Sequence, residues 1–278
     1  MKKSKNLIIV AALIFTAFIA FWTYLGLKGL RGDSSEAELY SALYGTMALY
    51  GGLIGIAISK RWGGAKSLIG KSVLFISLGL LAQAAGQITY SMYTYIFHVV
   101  VPYPSFGDFW YFGSVILYIL AMFSLLKALN VKTGIKSHKN KLIVLLVPVA
   151  LLSFSYYEFL RGYEFDFSNP LVVFLDFGYP FGQAIYVSLA LLAYLLARPY
   201  LGGLMRPVIS LLIVALVIQY VSDFVFLYQV SKDSWVIGGV NELMYLVSYF
   251  VMTLSLIMFN SAINKISGGS KREEEQEA

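Results

Sequence analysis

The sequence predicts an all-α, polytopic integral membrane protein of about eight transmembrane helices, and three observations predict it. Hydrophobic residues make up 59% of the 278 positions and the mean hydropathy is +0.73, well above the values of an ordinary soluble domain. Apolar runs recur at the length of roughly 20 residues that a bilayer-spanning helix needs, because hydrocarbon offers no water to the backbone. Lys and Arg gather in alternate connections, as they do in chains whose basic loops stay cytoplasmic.

The spans are expected near 7–29, 39–59, 68–93, 107–129, 142–160, 171–197, 207–229 and 236–260. The first follows the basic start MKKSKN; its apolar run is longer than that of a secretory signal and no small-x-small cleavage site stands out, so it is read as a retained helix. The fourth opens in PYPSFGDFWYFG, where Ser105 and Asp108 have capping-box spacing. The sixth opens at Asn169-Pro170, a cap followed by proline at the first helical position, and Pro180 predicts a kink within it. The eighth follows the break Gly238-Gly239. Residues 1–264 form one helical domain on this reading, arranged as four out-and-back hairpins, and 265–278 a flexible, charged cytoplasmic tail.

Lys2, Lys3, Lys5, Lys60, Arg61, Lys66, Lys132, Lys136, Lys139, Lys141, Arg198, Arg206, Lys265, Lys271 and Arg272 all fall on one side of this topology. That places both termini in the cytoplasm of a cell-membrane protein. Outside the tail, every acid (Asp33, Glu36, Glu38, Asp108, Glu158, Glu164, Asp166, Asp176, Asp223, Asp233 and Glu242) lies in an external loop or the external half of a helix. The net charge of +6 therefore sits against anionic headgroups, and nothing resembles a nucleic-acid platform.

A weak internal repeat is visible. Asp108-Phe-Trp-Tyr111-Phe-Gly-Ser114 opens the fourth helix, and Glu242-Leu-Met-Tyr245-Leu-Val-Ser248 opens the eighth; Gln183-Ala-Ile-Tyr186 fits the pattern more loosely. In each, the polar residue and the tyrosine share a helical face.

Polar side chains within spans carry most information, because lipid tolerates them only when they face protein or water. Gln83, Gln87, Asp108, Asp176, Gln183, Gln219, Asp223, Asn241 and Glu242 all fall in the outer half. Converging, they would line an external pocket walled by aromatics such as Tyr111 and Tyr245, with Asp108 at the rim and Asp176 and Asp223 deeper. Local explanations compete. The capping box accounts for Asp108, a first-turn position accounts for Glu242, and an interfacial belt accounts for Trp110 and Trp235. Asp176 and Asp223 have no such local explanation; a cavity or interhelical hydrogen bonding accounts for them. The candidate ligand-binding set is Gln87, Asp108, Tyr111, Asp176, Gln183, Gln219, Asp223, Glu242 and Tyr245. With no cysteine and two histidines, His98 and His138, no metal site or cofactor is expected, and no nucleophile, zincin, P-loop or Rossmann motif occurs.

The series Gly86-Gln87…Tyr93, Pro102-Tyr-Pro-Ser105-x-x-Asp108-x-x-Tyr111, Tyr179-Pro180-x-x-Gln183 and Ser222-Asp223-x-x-Phe226 resembles a polytopic sensor-like domain found at the amino terminus of bacterial diguanylate cyclases and related signalling proteins. The resemblance covers roughly 68–260 and implies an input domain for an unidentified signal. Gln87 and Gln183 depart from it where the family carries acids, and no output domain follows Asn260. The favoured expectation is a membrane sensor that binds a small or amphipathic ligand and acts through a separate cytoplasmic partner. A transporter using buried acids is the alternative, and an intramembrane enzyme acting on lipid or isoprenoid substrates the second. The partners implied are the bilayer, the ligand, a signalling protein and a second copy of the chain as a homo-oligomer.

Overall fold

The computed structural model describes residues 2–99, 101–129, 138–161, 165, 167–200 and 205–277. Among them there is no strand. The helices are α1 (Lys2–Lys28), α2 (Ser35–Leu43), α3 (Thr46–Arg61), α4 (Leu68–Ser91), α5 (Phe106–Ala128), α6 (His138–Ser155), α7 (Pro170–Tyr200), α8 (Arg206–Ser231) and α9 (Val240–Glu277). Single π turns, Met92–Ile96 and Tyr156–Leu160, extend α4 and α6. Serines set several starts: Ser34 and Ser67 accept the Ala37 and Gly70 amides at 3.0 and 2.9 Å, satisfying donors that a first turn leaves free. α7 starts at Pro170 behind Asn169 and continues through Pro180, so that proline does not end it.

Seven stretches are long and apolar enough to cross a bilayer: Ser4–Lys28, Ser35–Arg61, Leu68–Ile96, Phe106–Ala128, Pro170–Leu195, Arg206–Val230 and Val240–Lys265. α2 and α3 together make the second, because Tyr44 and Gly45 between them keep right-handed helical dihedrals. The span expected at 142–160 falls on α6, where the described apolar stretch is Leu145–Glu158 and Pro148 interrupts the helical hydrogen bonding. The chain is a multi-pass, all-helical membrane protein.

Six elements touch in a closed order, α3, α4, α5, α7, α8, α9 and back to α3; α1 lies outside against α9 and α3, and α6 outside against α7. Large apolar side chains such as Leu13, Leu53 and Phe109 are exposed on the outside, as a lipid-facing surface requires. Tyr40, Tyr118, Tyr186, Met122 and Leu212 are buried inside. Lipid gives helices no hydrophobic reason to associate, so close packing and hydrogen bonds hold the ring. Gly55 shows how tight the packing is: a β-carbon there would lie 2.1 Å from Ser77 Oγ and 2.9 Å from Leu256 Cδ1, so α3 reaches both α4 and α9 only as glycine.

The two ends differ in charge. At one, which we term the basic end, Arg61 donates to Asn260 and, at 2.6 Å, to Asn264, and Asn260 donates to Ser4 at 2.9 Å, joining α1, α3 and α9. At the other, the acidic end, Trp22 donates to the Gly239 carbonyl at 3.1 Å under the Arg31 guanidinium, which stands 3.9 Å over the indole. Of the charges counted above, Lys132, Lys136, Glu164 and Asp166 lie outside the described residues.

Candidate functional site

α5, α7 and α9 begin at the acidic end, and each brings polar side chains to it. The capping box of α5 forms: the Ser105 amide donates to Asp108 Oδ2 at 2.7 Å and Ser105 Oγ accepts the Gly107 amide at 3.1 Å. Asp108 does more than cap, because its Oδ1 accepts the Tyr179 hydroxyl of α7 at 3.0 Å. Asp176, one turn earlier on α7, accepts the hydroxyl of the loop residue Tyr103 at 2.6 Å.

Glu242 is buried in the first turn of α9. Its Oε2 accepts the Gly238 amide at 2.9 Å, and its Oε1 accepts the Ser41 hydroxyl of α2 at 2.6 Å. The Ser41 carbonyl in turn accepts Gln87 Nε2 at 2.7 Å, and Gln87 Oε1 accepts the Tyr111 hydroxyl at 3.4 Å. The Tyr111 ring lies so close to Gly86 that a β-carbon there would stand 2.6 Å from it.

On α8, Gln219 and Asp223 face α9. Asp223 Oδ1 accepts both the Tyr245 hydroxyl at 2.8 Å and Gln219 Nε2 at 3.2 Å, while Gln219 Oε1 accepts Ser248 Oγ at 2.9 Å. Between the two groups Gln83 donates to Ser114 Oγ at 2.8 Å and accepts the Tyr249 hydroxyl at 2.9 Å. The Tyr245 and Tyr249 rings stack at 6.1 Å, and Tyr249 and Tyr44 at 6.3 Å. None of Asp108, Asp223 and Glu242 has a Lys or Arg partner among the described residues.

The repeat read from two helix openings extends to whole helix pairs. On α4, Gln83 and Gln87 bond to Ser114 and Tyr111 of α5, which opens with Asp108. On α8, Gln219 and Asp223 bond to Ser248 and Tyr245 of α9, which opens with Glu242. In both, the first-turn acid accepts an upstream backbone amide and a hydroxyl from the opposite half of the chain: Tyr179 for Asp108, Ser41 for Glu242. The helix contacts repeat too, since α3–α4, α4–α5 and α3–α9 correspond to α7–α8, α8–α9 and α7–α5. The two joints differ in one charge, with neutral Gln87 standing where the second has Asp223.

Of the nine candidate residues, Gln87, Tyr111 and Glu242 thus join one linked group and Gln219, Asp223 and Tyr245 another. Asp108 and Asp176 sit nearer the rim on tyrosine hydroxyls. Gln183 is buried in α7, and no described hydrogen bond ties it to the others. Ser41, Ser114, Ser248 and Tyr249 complete the network; seven-residue spacing from Glu242 puts Tyr249 on the same face of α9 and was the available signal for it. Ser41 gave none, since its partner is 201 positions away.

One small cleft, about 20 Å³ between Glu38, Ser41, Tyr90 and Thr94, has room for a single water. A shallow apolar groove on α7 is lined by Phe165, Phe174, Phe177 and Phe181. Among the described residues no three His, Asp or Glu side chains come together as a metal-binding group. In comparison with known proteins, no family model, no curated protein and no solved structure matches the chain.

Proposed function

We propose that the chain is a membrane sensor that binds a small ligand at its acidic end, among α4, α5, α7, α8 and α9, and passes the signal to a separate cytoplasmic protein. The observation that carries the reading is a set of carboxylates and amides gathered at one end of an apolar bundle, where Asp108, Asp223 and Glu242 have no Lys or Arg partner among the described residues. Such groups are expensive to keep in a membrane and mark sites of function there. The resemblance to a sensor-like input domain points the same way.

The acidic end faces outward on this reading, and the cell membrane is the location. Ser4 beside Asn260 supports an even number of crossings. α6 would supply the eighth, because α5 ends at the basic end and α7 starts at the acidic end. The chain has no cysteine, which makes the test clean. Asp33→Cys should react with a membrane-impermeant maleimide in intact cells, and Lys66→Cys only after permeabilisation; the reverse pattern would invert the topology.

A second reading, a transporter, is favoured by one observation. The two halves repeat each other's helix contacts and polar joints, an architecture common among transporters. Thermal-shift screening of purified protein against small-molecule libraries should find a compound that stabilises wild type and loses its effect in Asp176→Asn or Asp223→Asn. Proteoliposome flux of that compound, abolished by the same substitutions, would move the reading from sensing to transport. Absence of any variant-sensitive stabilisation would remove ligand binding at this site.

A further inference from the structure

We infer that the cleft between α2 and the end of α4 is a site for one small monovalent inorganic cation, held by the Glu38 carboxylate and the oxygens of Ser41, Ser91 and Thr94. The site is separate from the proposed ligand site, none of whose nine candidate residues lines the cleft, so either can fail without the other.

The cleft is built from one face of each helix. Glu38, Ser41 and Ala42 are three and four residues apart on α2, and Tyr90, Ser91, Thr94 and Tyr95 are spaced likewise across the end of α4 and its π turn. Single π turns recur at functional sites. The lining passes from Tyr95, 40% exposed, through half-buried Glu38 to Ser41, 3% exposed, so one side opens outward while the other touches the buried network. α2 begins and α4 ends at the acidic end, which lets an ion arrive from water without crossing the apolar layer.

Hydrogen bonding decides what the cleft attracts. A serine or threonine hydroxyl carries one hydrogen and two lone pairs. Ser41 gives its hydrogen to Glu242 Oε1 at 2.6 Å and Ser91 gives its own to the Gln87 carbonyl at 2.9 Å. Thr94 directs its hydrogen to the Ser91 and Tyr90 carbonyls, at 3.2 and 3.3 Å. With these hydrogens committed, the three oxygens have lone pairs left to offer the cleft. Glu38 adds a carboxylate that makes no hydrogen bond or ion pair among the described residues. A cation matches such a lining better than water does, because it needs acceptors alone.

Oxygen donors suit a hard cation. A volume of about 20 Å³ holds one water-sized body, which admits sodium or potassium and excludes an organic amine. One carboxylate balances one charge, and among the described residues no three acids or histidines gather to hold a divalent ion. Both Glu38 and Glu36 stand in the first turn of α2, where the helix dipole favours an acid. Glu36 does not line the cleft, and this separates the dipole from the site.

The test is thermal unfolding of the purified full chain in detergent, in sodium, potassium, calcium, methylammonium or N-methylglucamine chloride at one ionic strength. Sodium or potassium should raise Tm above the N-methylglucamine value, as a ligand of the folded state does. Glu38→Gln should fold and lose the shift. Glu36→Gln, which removes a first-turn acid from the same helix, should keep it. Thr94→Val with Ser91→Ala should lower the apparent affinity at least about tenfold, the scale on which groups around a bound metal act; where that pair yields no folded protein, Thr94→Val alone carries the same reading. Equal Tm in sodium, potassium and N-methylglucamine overturns the inference, and so does a shift that survives in Glu38→Gln or an affinity unchanged by the hydroxyl substitutions. A shift with calcium or methylammonium but with neither sodium nor potassium also overturns it. If Glu36→Gln abolishes the shift as fully as Glu38→Gln, the ion screens the end of α2 and does not occupy the cleft.

Discussion

Gly55→Leu should prevent α3 from seating between α4 and α9 and leave little folded protein in detergent. A β-carbon at position 55 already falls 2.1 Å from Ser77 Oγ and 2.9 Å from Leu256 Cδ1, and leucine adds three more carbons to that space. Even alanine forces both neighbours to move, and overpacking of that kind costs about 1–3 kcal/mol. The matched control is Gly113→Ala on α5, where a β-carbon would meet no atom within 4 Å. There the gain in helix propensity, up to about 1 kcal/mol in water, is the main term left, so the variant should be neutral or slightly stabilised. Thermal unfolding of Gly55→Ala, Gly55→Leu and Gly113→Ala side by side decides the matter. If Gly55→Ala is as stable as Gly113→Ala, the close approach of α3 is not what holds the ring.

Such contacts mark the boundary of what the sequence could tell. Hydropathy located the long spans because the bilayer imposes a length on each helix independently of its neighbours. The Ser105–Asp108 capping box and the Asn169-Pro170 start were legible because their partners are three residues away or fewer. The pairing of Gln219 with Asp223 followed from four-residue spacing. Ring order was not legible, since a glycine permits close approach without naming the helix that makes it. Tyr118 and Tyr186 read as ordinary aromatic residues of apolar runs, and only their meeting across α5 and α7 sets them apart. Asp176 illustrates the opposite case: depth along α7 placed it inside a span, yet the residue it meets at 2.6 Å is Tyr103, in the loop that precedes α5. Repetition of the polar joints was half visible. Two helix openings matched in sequence, but the matching partners on α4 and α8, Gln83 with Gln87 and Gln219 with Asp223, gained meaning only from the bonds they make.

That repetition separates Asp223 from Glu242, and substitution of Glu242 should expose the difference. Glu242 is the first-turn residue that ties α9 to α2, with one oxygen on the Gly238 amide and the other on Ser41 Oγ. Glu242→Ala leaves a buried amide and a buried hydroxyl without partners. Each unsatisfied group costs roughly 1–3 kcal/mol in protein interiors, although interhelical hydrogen bonds in membranes average nearer 0.6 kcal/mol; a net loss of about 2 kcal/mol is expected. Glu242→Gln behaves differently, because its carbonyl oxygen accepts from Gly238 while its amide nitrogen donates to Ser41, whose hydroxyl accepts as readily as it donates. The variant should recover most of the stability, within about 1 kcal/mol of wild type on the scale of a single hydrogen bond. Unfolding in detergent, read for wild type, Glu242→Gln and Glu242→Ala, measures both differences. A full recovery by glutamine assigns Glu242 to holding α2 and α9 together and leaves Asp223, whose neutral counterpart already exists at Gln87, as the acid whose charge the fold does not use. If Glu242→Gln is as damaged as Glu242→Ala, the negative charge at 242 itself supports the fold, and the division between the two acids fails.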